Sequence, residues 1–119
     1  MSLRDRILAA KDYRSELVEI PEWEATVEVR ELDGMTRARL AAQVGDEANP
    51  ERLTVVYPML LGSSLYDPTT GDRLFDTEED VAALMGKSGA VLDRLAIVAL
   101  RVSGMTEDAV DVAGRSLPR

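Results

Sequence analysis

Apolar and polar positions along this chain recur with two different periods, and the switches between them divide it into short elements. Leu3, Ile7 and Ala10 fall at helical spacing behind Ser2, which reads as an N-cap with Asp5 at the third helical position. Residues 3–11 are therefore expected to form a short helix. After the polar break Asp12–Ser15, Glu16–Ile20 is a short candidate strand ended by Pro21. From Ala25 to Leu32 small or apolar residues alternate with polar ones, the pattern of a strand with one buried face, and Asp33-Gly34 ends it.

Helical spacing then returns. Thr36 can cap a helix carrying Leu40, Ala41 and Val44 and closed by Gly45. Asn49-Pro50 opens the next, with Leu53, Val56, Tyr57, Leu60 and Leu61 in phase. Pro58 interrupts it by removing the bond to the carbonyl of Thr54, which predicts either a kink or a stop at Tyr57. Ser64-Leu65-Tyr66 and Arg73-Leu74-Phe75 flank a turn, Asp67–Asp72, and read as a hairpin. Thr77 caps a helix with Val81, Leu84 and Met85 that ends at Gly86.

The longest helix spans about 88–103, with Gly104 at the C′ position. Val91, Leu92, Leu95, Ala96, Val98, Ala99, Leu100 and Val102 cover more than half of its circumference, so it is expected to be central. Thr106-Glu107-Asp108 opens a last short helix with Ala109, Val110 and Ala113. The expected fold is α+β and mainly α-helical. A short helical bundle surrounds the C-terminal helix (88–103), with an N-terminal β-strand pair and a small β-hairpin near 64–75. Residues 1–113 form one globular domain, and 114–119 a flexible tail.

Composition removes most catalytic chemistry from this picture. The chain has 119 residues with no Cys and no His, and 14 basic against 22 acidic residues give a net charge of −8. Zero Cys excludes disulfides, zinc-thiolate sites and cysteine nucleophiles. Zero His removes the commonest metal ligand and general base. The acidic balance argues against a nucleic-acid partner and against an anionic membrane surface. Without a signal-peptide stretch or an apolar run of spanning length, the chain is expected in the cytoplasm.

Local patterns that imitate sites have simpler structural readings. Asp67–Glu78 has the span of a calcium loop, but its sixth position is Asp72 and Gly71 stands one place early, so a turn followed by a helix cap is expected. Glu78-Glu79-Asp80 suits the positive end of a helix dipole better than acid–base work. Gly86-Lys87-Ser88 resembles the end of a phosphate loop, yet Val81 stands where the first Gly belongs. No cofactor and no metal are expected, and an enzyme would have to work with carboxylates alone.

What remains is surface. On the long helix Ile97 shares an arc with Asp93, Arg94 and Arg101, either as a single exposed apolar residue or as part of a contact with another chain. Val55 and Met59 lie opposite the Leu53–Tyr57–Leu61 stripe, implying a second layer supplied by this chain or by a partner. Val55, Met59, Arg94, Ile97 and Arg101 are thus the candidate partner-binding residues. Trp23, the only Trp, reads first as a core plug and second as a binding residue.

The succession of segments resembles the tail assembly chaperones of long-tailed bacteriophages, made from the gene preceding the tape-measure gene. The likeness runs through Ile7–Asp12, Glu19-Ile20-Pro21-Glu22-Trp23, Val27–Gly34, Gly71-Asp72-Arg73-Leu74-Phe75, Glu79–Leu84, Leu92-Asp93-Arg94-Leu95 and Ala99–Glu107. Tyr57-Pro58 and the short stretch Gly45–Asn49 depart from the family pattern. The resemblance implies a non-enzymatic protein of the host cytoplasm, absent from the finished virion. Its partner would be the tape-measure protein, kept soluble during tail assembly. It also implies a homo-oligomer, and a longer frameshifted form beside the short one. The alternative is a small structural or adaptor protein retained in the particle.

Overall fold

Period-two alternation builds the first layer of the molecule. The computed structural model describes residues 1–44 and 53–105. Strand β1 (Ser15–Ile20) pairs antiparallel with β2 (Ala25–Arg30), matching Val18 to Val27 and Glu16 to Val29. A single 3₁₀ turn, Pro21–Trp23, reverses the chain between them, with Glu24 in the left-handed region at φ 49°. Val18, Ile20, Val27 and Val29 share the inner face, while Leu17 points outward.

The helices follow in the expected order. α1 spans Leu3–Ala9, α2 Gly34–Val44, α3 Leu53–Ser64, α4 Glu78–Leu84 and α5 Gly89–Val102. α5 packs on the inner face of β1 and β2 and against α3, burying Val91, Leu92, Leu95, Ala96, Val98, Ala99 and Val102. Leu40 of α2, Leu60 and Leu61 of α3 and Leu84 of α4 complete the same core. The mainly helical α+β architecture around a central C-terminal helix is therefore as expected. Gly104 leaves α5 with φ +72°, the conformation required at C′.

Several boundaries differ for identifiable reasons. α2 starts two residues before Thr36: Asp33 is the capping residue, its Oδ1 accepting the Thr36 N–H at 2.8 Å. β2 stops at Arg30, because Leu32 donates its N–H to the buried Ser103 hydroxyl, 3.1 Å away. α3 neither stops at Tyr57 nor breaks at Pro58 but continues to Ser64. The fully buried Leu60 and Leu61 and the bond from the Ser64 hydroxyl to the Leu60 carbonyl (2.7 Å) anchor the turns beyond the proline. Tertiary burial here outweighs one missing helical bond.

The hairpin near 64–75 is smaller than expected and is not separate. Its first arm is β3 (Leu65–Tyr66), and its second is a single bridge between Arg73 and Tyr66. β3 joins β2 through Val29↔Leu65 and Glu28↔Tyr66, making one sheet of order β1-β2-β3. Asp67 Oδ1 accepts the N–H groups of Thr69 (2.7 Å) and Thr70 (3.2 Å), so this acid closes a turn.

α1 is the largest departure. It has the expected Ser2 cap (3.1 Å to the Asp5 N–H), but none of its residues is buried and its apolar face meets no core. The expected closure at Gly45, the start at Asn49-Pro50, the helix from Thr106 to Ala113 and the tail 114–119 lie outside the described residues. Among the described residues no helix is long and apolar enough to cross a membrane.

One prediction arises at the α2 cap. The Thr36 backbone N–H, and then its hydroxyl, hold the Asp33 carboxyl below the usual carboxylate range. The cap's contribution is therefore full above the unfolded-state pKa and is lost as pH falls through the depressed folded value. Asp33→Ala should cost about 0.5–2 kcal/mol at pH 7. That difference should shrink towards zero in acid, as urea titrations of both proteins at several pH values would show.

Candidate functional site

Residues on α5 and the sheet build the outer face where three of the candidate partner residues converge. Arg94, Ile97 and Arg101 follow one another at intervals of three and four, so they line one side of the helix. Arg94 Nη2 donates to Glu22 Oε1 at 2.7 Å, and Arg101 Nη2 donates to Glu16 Oε1 at 2.7 Å. Both arginines thus fasten α5 to the strand layer, one at the 3₁₀ turn and the other at β1. The Arg94 guanidinium, helped by the Glu22 backbone, pulls the Glu22 carboxyl below its ordinary value. Ile97 stands between these pairs with half of its surface exposed (50%).

The two α3 candidates separate. Val55 is exposed (44%), whereas Met59 is partly buried and packs against the core. Of the two sources left open for a second layer, this chain supplies at least part of the cover over Met59. Val55 remains an exposed aliphatic on α3.

Concavities lie elsewhere among the described residues. One, about 470 Å³, is lined among others by Tyr13, Arg30, Asp33, Ser63, Tyr66 and Arg73. Its polar groups are mutually engaged. The Arg30 guanidinium stacks 3.9 Å from the Tyr66 ring centre and 4.9 Å from that of Tyr13, and pairs with Glu28 at 3.0 Å. Arg73 Nε donates to the Gly62 carbonyl at 2.8 Å. This Tyr–Arg–Tyr stack has no sequence signal, because its members are far apart and are brought together by β1–β2 pairing for Tyr13 and by β2–β3 pairing for Tyr66. Among the described residues no cluster of three or more acidic or other ligating side chains could hold a metal.

Another concavity, about 260 Å³, is an apolar groove lined by Trp23, Phe75, Ala83, Leu84 and Lys87. Trp23 is half-buried and packs on the core, as its first reading required, while another part of its surface forms the groove wall. Thr77 Oγ1 accepts the Asp80 N–H at 3.0 Å, so Glu78, Glu79 and Asp80 stand in the capped first turn of α4.

Comparison with known proteins adds a second kind of observation. A family model described as phage tail assembly chaperone matches residues 2–114. Among solved structures, the tail assembly chaperone of bacteriophage HK97 is similar at a TM-score of 0.64 and 24% identity, covering 83% of this chain and 95% of that one. No curated protein was found to match. The match over residues 2–114 agrees with the resemblance read from the order of segments, and the similar structure agrees with the fold.

Proposed function

The chain belongs to the phage tail assembly chaperone family, and from that premise we propose that it binds the tape-measure protein and keeps it soluble without performing a reaction. The observation that carries this reading is Ile97, an aliphatic held half-exposed between two ion pairs on the outer face of the central helix. A client with long apolar helical faces needs those faces covered reversibly, and a framed aliphatic supplies a landing point of defined geometry. Val55 extends the client surface on α3. Arg94 and Arg101 act mainly as the frame of Ile97, and Met59, partly buried against the core, follows Val55 by one turn of α3. The net charge of −8 keeps the loaded complex dispersed. The chain acts in the host cytoplasm and self-associates, because many copies are needed along one rod-like client.

Purified chain mixed with a purified tape-measure segment should co-elute with it in size-exclusion chromatography, and mass spectrometry of virions should find it absent from the particle. Separate elution would end the client reading. Stoichiometric presence in virions would favour a structural adaptor.

A further inference from the structure

Trp23 packs one side on the core and leaves another to the groove it forms with Phe75, Ala83, Leu84 and Lys87. At about 260 Å³ the groove falls below the ~300 Å³ at which small-molecule pockets begin. Of its lining side chains only Lys87 and the Trp23 indole N–H are polar, which leaves little to orient a small polar ligand. A slot of this size and chemistry suits an anchor side chain from a protein partner.

The charge around the groove sets what that partner carries. Glu24 follows Trp23, Asp76 follows Phe75, and Glu79 precedes Ala83 by one turn of α4. Among the described residues none of these three acids forms an ion pair. Glu22, by contrast, is held by Arg94 at 2.7 Å. That pair also joins the groove to the outer face of α5. Glu22 adjoins Trp23 in the 3₁₀ turn, and Arg94 stands one turn before Ile97. Ile97 and the groove therefore border one continuous stretch of surface.

We propose that the groove is a second anchor point for the client. One aliphatic or aromatic side chain of an amphipathic client helix enters it, and Lys or Arg residues flanking that anchor lie against Glu24, Asp76 and Glu79. The proposal rests on the client reading above and deepens it by fixing the chemistry of the bound segment. The chain thus selects basic amphipathic helices over acidic ones of equal apolarity. Ile97, framed by two ion pairs that are already closed, does not supply that selectivity by itself.

The full-length chain reports on the contact directly, because Trp23 is its only Trp. Two Trp-free synthetic helical peptides share one leucine stripe, which is flanked by Lys and Arg in the first and by Glu in the second. The basic peptide should move Trp23 emission to shorter wavelength and bind at least ~10-fold tighter than the acidic one. Moderate salt should narrow the difference. Ala83→Arg changes an exposed position in the groove wall and should weaken the basic peptide at least ~10-fold. Asp76→Lys combined with Glu79→Lys, both at exposed positions, should reverse the preference between the peptides.

Equal affinity for the two peptides overturns the proposal, as does binding that leaves Trp23 emission unmoved or survives Ala83→Arg. If Ala83→Arg instead lowers the sedimenting mass of the chain with no peptide present, the groove belongs to a contact between copies and the proposal also fails. A tape-measure segment that co-elutes with Ala83→Arg as it does with the wild type removes the groove from the client surface and leaves the client reading standing. Selective peptide binding by a chain that never co-elutes with the tape-measure segment upholds the selectivity of the groove and ends the client reading.

Discussion

Leu95→Ala should remove about 2–5 kcal/mol of stability, while Ile97→Ala, two residues further along the same helix, should stay within about 0.5 kcal/mol. Leu95 is wholly buried, whereas Ile97 keeps half its surface in solvent. Truncating Leu95 removes its contacts with the facing sheet and helices and leaves a cavity that a close-packed core closes only in part. Against a typical total of about 5–15 kcal/mol, that loss is a large fraction. Urea titrations of the two variants measure the contrast. Equal losses would mean that α5 is not the buried centre with one solvent-facing edge described here.

Ile97→Glu should have the largest functional effect. It places a charge where the client's apolar face is proposed to land, and it touches no buried contact. Anchor residues at interfaces cost about 2 kcal/mol or more when truncated, so client affinity should fall by roughly 30-fold or more. The urea midpoint should barely move. Arg94→Ala should weaken client binding less than Ile97→Glu does, because Arg94 is engaged with Glu22 and acts on the client only by framing Ile97. If Ile97→Glu binds client as the wild type does, the outer face of α5 is not the client surface. If it unfolds the chain, Ile97 carries packing that its exposure conceals.

Much of the fold was legible because local chemistry and burial agree. Ser2 and Thr77 cap the helices they precede, Gly104 ends α5, and the apolar arc of α5 is the arc that is buried. The sequence misled where a local rule met a tertiary one. Pro58 argues for a broken helix, but Leu60, Leu61 and Ser64 hold the following turns in the core. Thr36 and Asp33 are both good caps, and only the backbone path shows that Asp33 is the one used.

Strand pairing was the least visible part. Nothing in Leu65-Tyr66 announces that it will lie beside Val29 and Glu28, so neither the three-stranded sheet nor the stacking of Arg30 on Tyr66 could be read beforehand. Of the candidate surface, Ile97 is as exposed as its placement among Asp93, Arg94 and Arg101 allowed, and Val55 is exposed on α3. The roles of Arg94 and Arg101 depended on acids more than 70 residues away, and Met59 on packing that helical phase alone does not fix.

Co-expressing a tape-measure protein with and without this chain, and reading the fraction that remains in the supernatant after centrifugation, tests the central claim most directly. The client should be mostly insoluble alone, largely soluble beside the wild type, and again mostly insoluble beside Ile97→Glu. A client whose soluble fraction is the same with and without the wild-type chain would contradict the claim.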